Sequence, residues 1–136
     1  MLANWVEGKR REKYCEDKDL IGMGDFNIPS LTDPLFQAVT KHKLQMPKAL
    51  LGSQHGSNLE KDKRYDQILH YANYPENFSQ AGGVLDFFVD QAHIKELFPA
   101  GMTKFVFTFQ LSDHLPLWIQ VNTDISGQQL QQLIQG

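Results

Sequence analysis

A mixed fold of helices and strands, α/β or α+β in class, is what these 136 residues predict. Three observations carry it. The N-terminal residues place apolar side chains at helical spacing, Asp33-Pro34 has the form of a helix start, and the runs Leu20–Met23, Tyr65–Tyr71 and Leu115–Val121 have strand character. Roughly four or five strands with three or four helices is the expected count.

Taken in order, the stretch from Leu2 to about Asp17 predicts a helix whose apolar face opens with Leu2, Trp5 and Val6. Leu20-Ile21-Gly22-Met23 then reads as a buried strand running into a loop at Gly24-Asp25. Asp33 as N-cap and Pro34 at the first helical position start a second helix, with Leu35, Phe36 and Val39 on one face. Pro47 ends that region. Residues 52–63 are polar and rich in Gly and Ser, the composition of a mobile surface loop.

Tyr65–Tyr71 predicts a strand. Val84–Val89 fits either a strand or a buried turn of helix, and periodicity does not separate the two. Ile94–Phe98 predicts a short helix stopped by Pro99. Lys104–Phe109 alternates in the strand manner, with Phe105, Phe107 and Phe109 as one buried face, and Leu115–Val121 follows as a second strand after a tight turn. From Ser126, Leu130, Leu133 and Ile134 at helical spacing predict a short Gln-rich helix.

Bulk properties narrow the function. A length of 136 residues fits one domain, and 41% hydrophobic with 21% charged residues is ordinary globular composition. The formal charge of -3 gives no electrostatic footprint for non-specific nucleic-acid binding. Cys15 is the single cysteine, which excludes an intrachain disulfide and any multi-cysteine zinc site. No apolar run approaches the roughly 20 residues that span a bilayer. Trp5, Glu7 and the cluster Lys9, Arg10, Arg11 interrupt any signal-peptide pattern. The expectation is a soluble chain, with a cytoplasmic setting favoured.

Three strand-end motifs carry candidate chemistry. In Gly24-Asp25-Phe26-Asn27, the glycine permits an unusual backbone angle, Asp25 is able to hold or deprotonate a water, and Asn27 is able to donate to a phosphate oxygen. The same four residues are also ordinary turn chemistry. In Tyr65-Asp66-Gln67-Ile68-Leu69, Asp66 enters an apolar strand, either to orient a histidine or to bond loop backbone. In Leu111-Ser112-Asp113-His114-Leu115-Pro116, a hard oxygen ligand and a proton-transfer group share one loop, unless the pair is simply solvated. Each motif alone is more often structure than catalysis.

As an ordered set, the three resemble the endonuclease/exonuclease/phosphatase superfamily, which includes pancreatic-type (deoxyribonuclease I-like) deoxyribonucleases, abasic-site endonucleases, sphingomyelinases and inositol-phosphate phosphatases. The matching signatures are Gly-Asp-x-Asn, a Tyr-Asp-x-Ile-like strand and Ser-Asp-His-x-Pro, over residues 24–116. The resemblance implies a divalent-metal-dependent phosphoesterase. Asp25 would position or activate the attacking water, Asn27 would bind the phosphate, Asp66 would orient His114, and His114 would stabilise developing charge. Asp113 would ligate the metal or hold a water of its shell. Mg²⁺ is the implied ion, with Mn²⁺ as a substitute.

The family fold is a four-layer α/β/β/α sandwich. The resemblance makes residues 1–136 its C-terminal portion, half of the sandwich, with one mainly antiparallel sheet and flanking helices. The family's N-terminal half supplies a metal-binding Glu, an Asn and a second His, and no strand-borne Glu precedes Asp25 here. The implied partners are therefore a phosphoester substrate and either a separate N-terminal half or a second copy against the open sheet face. The rival expectation is a non-catalytic interaction or scaffolding remnant of the same fold.

Among the remaining residues, His42, His55, His70 and His93 lack zinc spacing and read as surface or structural, with His70 the one to check against the site. Lys61, Lys63 and Arg64 read as a solvated charge run. Trp5 and Trp118 are assigned to packing.

Overall fold

Helix α1 (Leu2–Arg11) buries Ala3 and Val6 and ends in Lys9, Arg10 and Arg11, cations at the negative end of the helix dipole. The computed structural model describes residues 2–15, 20–52, 55–71, 77–123 and 134. The helix stops earlier than its charge pattern suggested, because residues 12–14 turn away; Asp17 lies outside the described residues. Trp5, expected to pack, is exposed.

Glu7 fastens this helix to the sheet. Its carboxylate pairs with Arg10 at 3.2 Å and Arg11 at 2.7 Å, and accepts the Tyr71 hydroxyl at 3.0 Å. The Arg10 guanidinium also lies over the Tyr71 ring, 4.6 Å from its centroid. These donors, the Arg10 bond foremost, hold the Glu7 pKa at about 2 against an ordinary 4.5. A depressed carboxylate pKa stabilises the fold above the unfolded value and loses that contribution as pH falls towards the folded one. The melting-temperature gap between wild type and Glu7→Gln is therefore expected to hold from neutrality to about pH 5 and to close as pH falls towards about 2. Thermal melts across that range check it; a gap independent of pH would contradict it.

Strand β1 (Ile21–Asp25), β2 (Leu44–Gln45) and β3 (Asp66–Tyr71) form an antiparallel sheet in the order β1-β3-β2. Strand β3 is central, and its apolar run is buried accordingly. Between β1 and β2, helix α2 (Pro34–Val39) starts as its sequence dictates: the Asp33 side chain accepts the Leu35 N–H at 2.8 Å, with Pro34 next. Phe36 and Val39 pack on the core, but Leu35, one position off that face, points to solvent. Pro47 leads into a single 3-10 turn at Lys48–Leu50. The main core gathers Val6, Leu44, Met46, Leu50, Ile68, Leu69 and Tyr71.

Strand β4 (Phe78–Val84) pairs antiparallel with β5 (Leu117–Val121) in a second sheet, with a register shift between Phe78 and Gly82. The fold is thus mixed α+β with antiparallel ladders, as expected, but its strands divide between two sheets among the described residues. Val84 ends the strand and the chain then turns through residues 87–89. Helix α3 (Gln91–Leu97) is capped by Asp90, which accepts the His93 N–H, and stops at Phe98 before Pro99. Trp118, on β5, is 40% exposed, so neither tryptophan is a core residue.

The segment Lys104–Gln110 is a helix, α4, and not the expected strand. Thr103 decides this locally by accepting the Val106 N–H at 3.3 Å, an N-cap bond. The period-two face dissolves with it: Phe107 is buried, while Phe105 and Phe109, four residues apart on the opposite side, are 80% and 85% exposed. Phe107 joins Ile94 and Met102 in a second small core, and its ring meets Phe88 edge-on at 5.2 Å. Strand β5 accordingly pairs with β4 rather than with this segment. The expected Gln-rich helix from Ser126 lies outside the described residues, Ile134 excepted.

Two loop expectations change as well. Gly56 and Ser57, inside the stretch expected to be a mobile loop, are buried. Arg64, expected in a solvated run, is 8% exposed, donating to the Leu50 carbonyl at 2.8 Å and to the Gly52 carbonyl. Lys61 is committed too, to Asp86 at 2.5 Å. Among the described residues, no helix is long and apolar enough to cross a membrane.

Candidate active site and metal centre

The antiparallel register between β1 and β3 sets Asp25 directly opposite Asp66. Cross-strand partners project from the same face with their Cβ atoms about 5 Å apart, so two carboxylates confront each other on the last rung of the ladder. Like charges in that position repel. A cation or a charged imidazole relieves the repulsion, and His114 provides the second.

Each side chain is set by local backbone. Gly24 takes φ +150 and Asn27 φ +53, angles that side chains adopt rarely, and between them the chain leaves the sheet. Asp25 accepts the Asn27 N–H on Oδ1 at 2.8 Å, an Asx turn that leaves its other oxygen uncommitted to that bond. The turn reading and the site reading of Gly24-Asp25-Phe26-Asn27 therefore hold together, because the turn is what presents the carboxylate.

His114 reaches this rung from the loop before β5. Its Nδ1 lies 2.7 Å from Asp66 Oδ2, and its N–H donates to Ser112 Oγ at 2.9 Å. The Tyr65 ring flanks the imidazole, with centroids 5.8 Å apart. With Nδ1–H donated to Asp66, Nε2 is the ring atom left to face a reacting group. Partial burial works against the charged imidazole, but the Asp66 bond and the charges of Asp66, Asp113 and Asp25 outweigh it, raising the His114 pKa above its ordinary 6.5. The site thus favours imidazolium more than a free histidine would.

Ligand atoms of Asp25, Asp66 and His114 lie within 4.8 Å of one another, close enough to converge on one ion. Two carboxylate oxygens suit Mg²⁺ or Mn²⁺, and the imidazole could join them only in its neutral form. The donor set fits the implied metal. Asp113 is exposed and stands outside this set, acting on His114 through its charge. Asn27 is exposed at the lip of the same strand end. Beside the three, an open groove of about 380 Å³ runs between Met23, Gly24, Ile68, Ser112 and Pro116.

The other histidines stay apart. His70 is 2% exposed, stacked on Phe78 at 3.7 Å, with Nδ1 3.1 Å from the Tyr71 carbonyl; burial depresses its pKa. Four residue steps along β3 separate it from Asp66, about 13 Å. His42 meets Asn4 at 2.9 Å, far along the chain from the motifs.

Ser57 escaped the sequence reading. Its hydroxyl oxygen accepts the Asp66 N–H at 3.0 Å from inside a loop whose composition signals only mobility. A serine in a Gly/Ser-rich stretch carries no signal for such a contact, which is made by the fold. No family model, no curated protein and no solved structure matches this chain, so the motifs and their convergence are what a functional reading has to stand on.

Proposed function

We propose that this chain bears the catalytic residues of a divalent-metal-dependent phosphoesterase of the endonuclease/exonuclease/phosphatase type. The observation that supports it is the meeting, on one strand end, of Asp25, Asp66 and His114 from three motifs spread over 90 residues of sequence, with the His114–Asp66 bond at 2.7 Å.

In this reading Asp25 takes the proton of an attacking water as its oxygen bonds to phosphorus and the bond to the leaving alkoxide breaks. Asp66 orients the His114 imidazolium so that its Nε2–H points at the phosphoryl oxygens, where negative charge gathers. Asn27 adds an amide donor at the lip. A bound Mg²⁺ or Mn²⁺, held by Asp25 and Asp66 with Asp113 holding a water of its shell, would supply further countercharge. The exposed Ile21 and Met23 on β1, an edge strand among the described residues, favour further polypeptide covering this side of the sheet.

The test is Mn²⁺ and Mg²⁺ titration followed by electron paramagnetic resonance and by hydrolysis of a phosphodiester and phosphomonoester panel, for wild type and Asp25→Ala. Metal binding and metal-dependent turnover in the wild type, both reduced in Asp25→Ala, support the reading. Absence of both from the wild type would favour a non-catalytic remnant.

A further inference from the structure

One buried residue touches the backbone on both sides of the Asp66–His114 contact. Ser57 is wholly buried. Its hydroxyl oxygen accepts the N–H of Asp66 at 3.0 Å, and its carbonyl accepts the N–H of Leu115, the residue after His114, at 2.6 Å. Its own N–H donates to the Lys63 carbonyl at 2.7 Å, closing the loop beneath it. The next residue, Asn58, makes an antiparallel bridge with His114 itself.

Asp66 and His114 lie 48 positions apart and belong to different sheets' neighbourhoods, so β-ladder pairing between their strands does not set their separation. Asp66 is the first residue of β3, and its N–H finds its partner in the Ser57 hydroxyl. A charge-assisted contact of 2.7 Å tolerates little displacement before it weakens. We propose that Ser57 is a positioning residue, whose side chain and carbonyl together hold the Asp66 carboxylate and the His114 imidazole in register for the phosphoester chemistry on which this inference rests. Its carbonyl fixes the His114 loop. Its hydroxyl fixes Asp66.

The division of labour makes the proposal testable by one atom. Ser57→Ala keeps both backbone bonds and removes only the oxygen that receives the Asp66 N–H; Ser57→Thr keeps that oxygen. In wild type, Ser57→Ala and Ser57→Thr, the ¹⁵N signals of the His114 ring report its tautomer without any need for turnover, and amide spectra of both sheets report the fold. At a pH high enough for the ring to be neutral, the expected result is a single Nδ1–H tautomer in wild type and Ser57→Thr, and a mixture in Ser57→Ala with the amide spectra of the sheets preserved. In metal-dependent hydrolysis, Ser57→Ala is expected to lose about ten-fold in kcat with KM little changed, and Ser57→Thr to recover most of it.

An unchanged ring spectrum in a folded Ser57→Ala overturns the proposal, whatever the activity. So does a Ser57→Thr protein that is folded but behaves as Ser57→Ala. If the wild type hydrolyses nothing, the phosphoesterase reading fails separately, and the ring spectrum still decides whether Ser57 holds the pair.

Discussion

His114→Ala is expected to lower metal-dependent hydrolysis by about 10³-fold, within the range for loss of a positioned acid–base group. The protein should remain folded, since His114 is only partly buried and its loop is held by the Leu115 bond to Ser57. In the proposed reading, removing the ring takes away the Nε2–H directed at the phosphoryl oxygens and leaves the Asp25–Asp66 rung without its cationic neighbour. The pH dependence separates these effects. The imidazolium is the useful form, and its pKa lies above 6.5, so the wild-type rate should fall as pH rises through that raised value. The alanine variant should lack this limb. Rates measured across pH for both proteins check it, and a variant that keeps the alkaline limb would assign the limb to another group.

The second large effect is on stability. A Cβ at Gly56 would sit 2.2 Å from the carbonyl carbon of Lys61 and 2.3 Å from its oxygen, distances at which backbone must move. The loop has little room to yield. Asn58 accepts the Lys63 N–H on its side chain at 2.9 Å and the Lys61 N–H on its carbonyl at 2.9 Å, while Ser57 bonds Lys63 beside it. Gly56→Ala is therefore expected to cost about 3 kcal/mol, the scale of overpacking in a rigid environment. Urea unfolding would register it as a lower midpoint with an unchanged slope. Because the loop also carries Ser57, the same variant should lose hydrolytic activity in parallel, whereas a midpoint within error of wild type would mean that the loop opens freely.

How much of this was legible in the sequence depends on the range of the interaction that decided each element. Helix α2 was legible because Asp33 and Pro34 act within one turn. Strand β3 was legible because its apolar run is central and buried. Lys104–Gln110 was not. Its alternating phenylalanines satisfy a strand pattern as well as the Thr103 cap satisfies a helix, and only the Ile94–Met102 surface, which takes one phenylalanine and leaves two outside, distinguishes them. Arg64 defeated composition for a similar reason: a guanidinium next to lysines looks solvated until two loop carbonyls, from Leu50 and Gly52, are folded around it. For the site, the resemblance already paired Asp66 with His114, and the fold brings them to 2.7 Å. The direct opposition of Asp25 and Asp66 needed the register, and no spacing within either motif encodes it.

That opposed rung has a thermodynamic consequence. Two carboxylates face each other where the β1–β3 ladder ends, so their repulsion acts on its tip. Any cation that settles between them is coupled to the closing of that end, and its binding energy adds to the cohesion of the sheet. At a hundred times its dissociation constant such an ion contributes about 2.7 kcal/mol, comparable to a well-buried side chain. If the acidic pair holds an ion, as proposed, it acts as a sensor as well as a ligand, and the integrity of β1 would rise and fall with that ion.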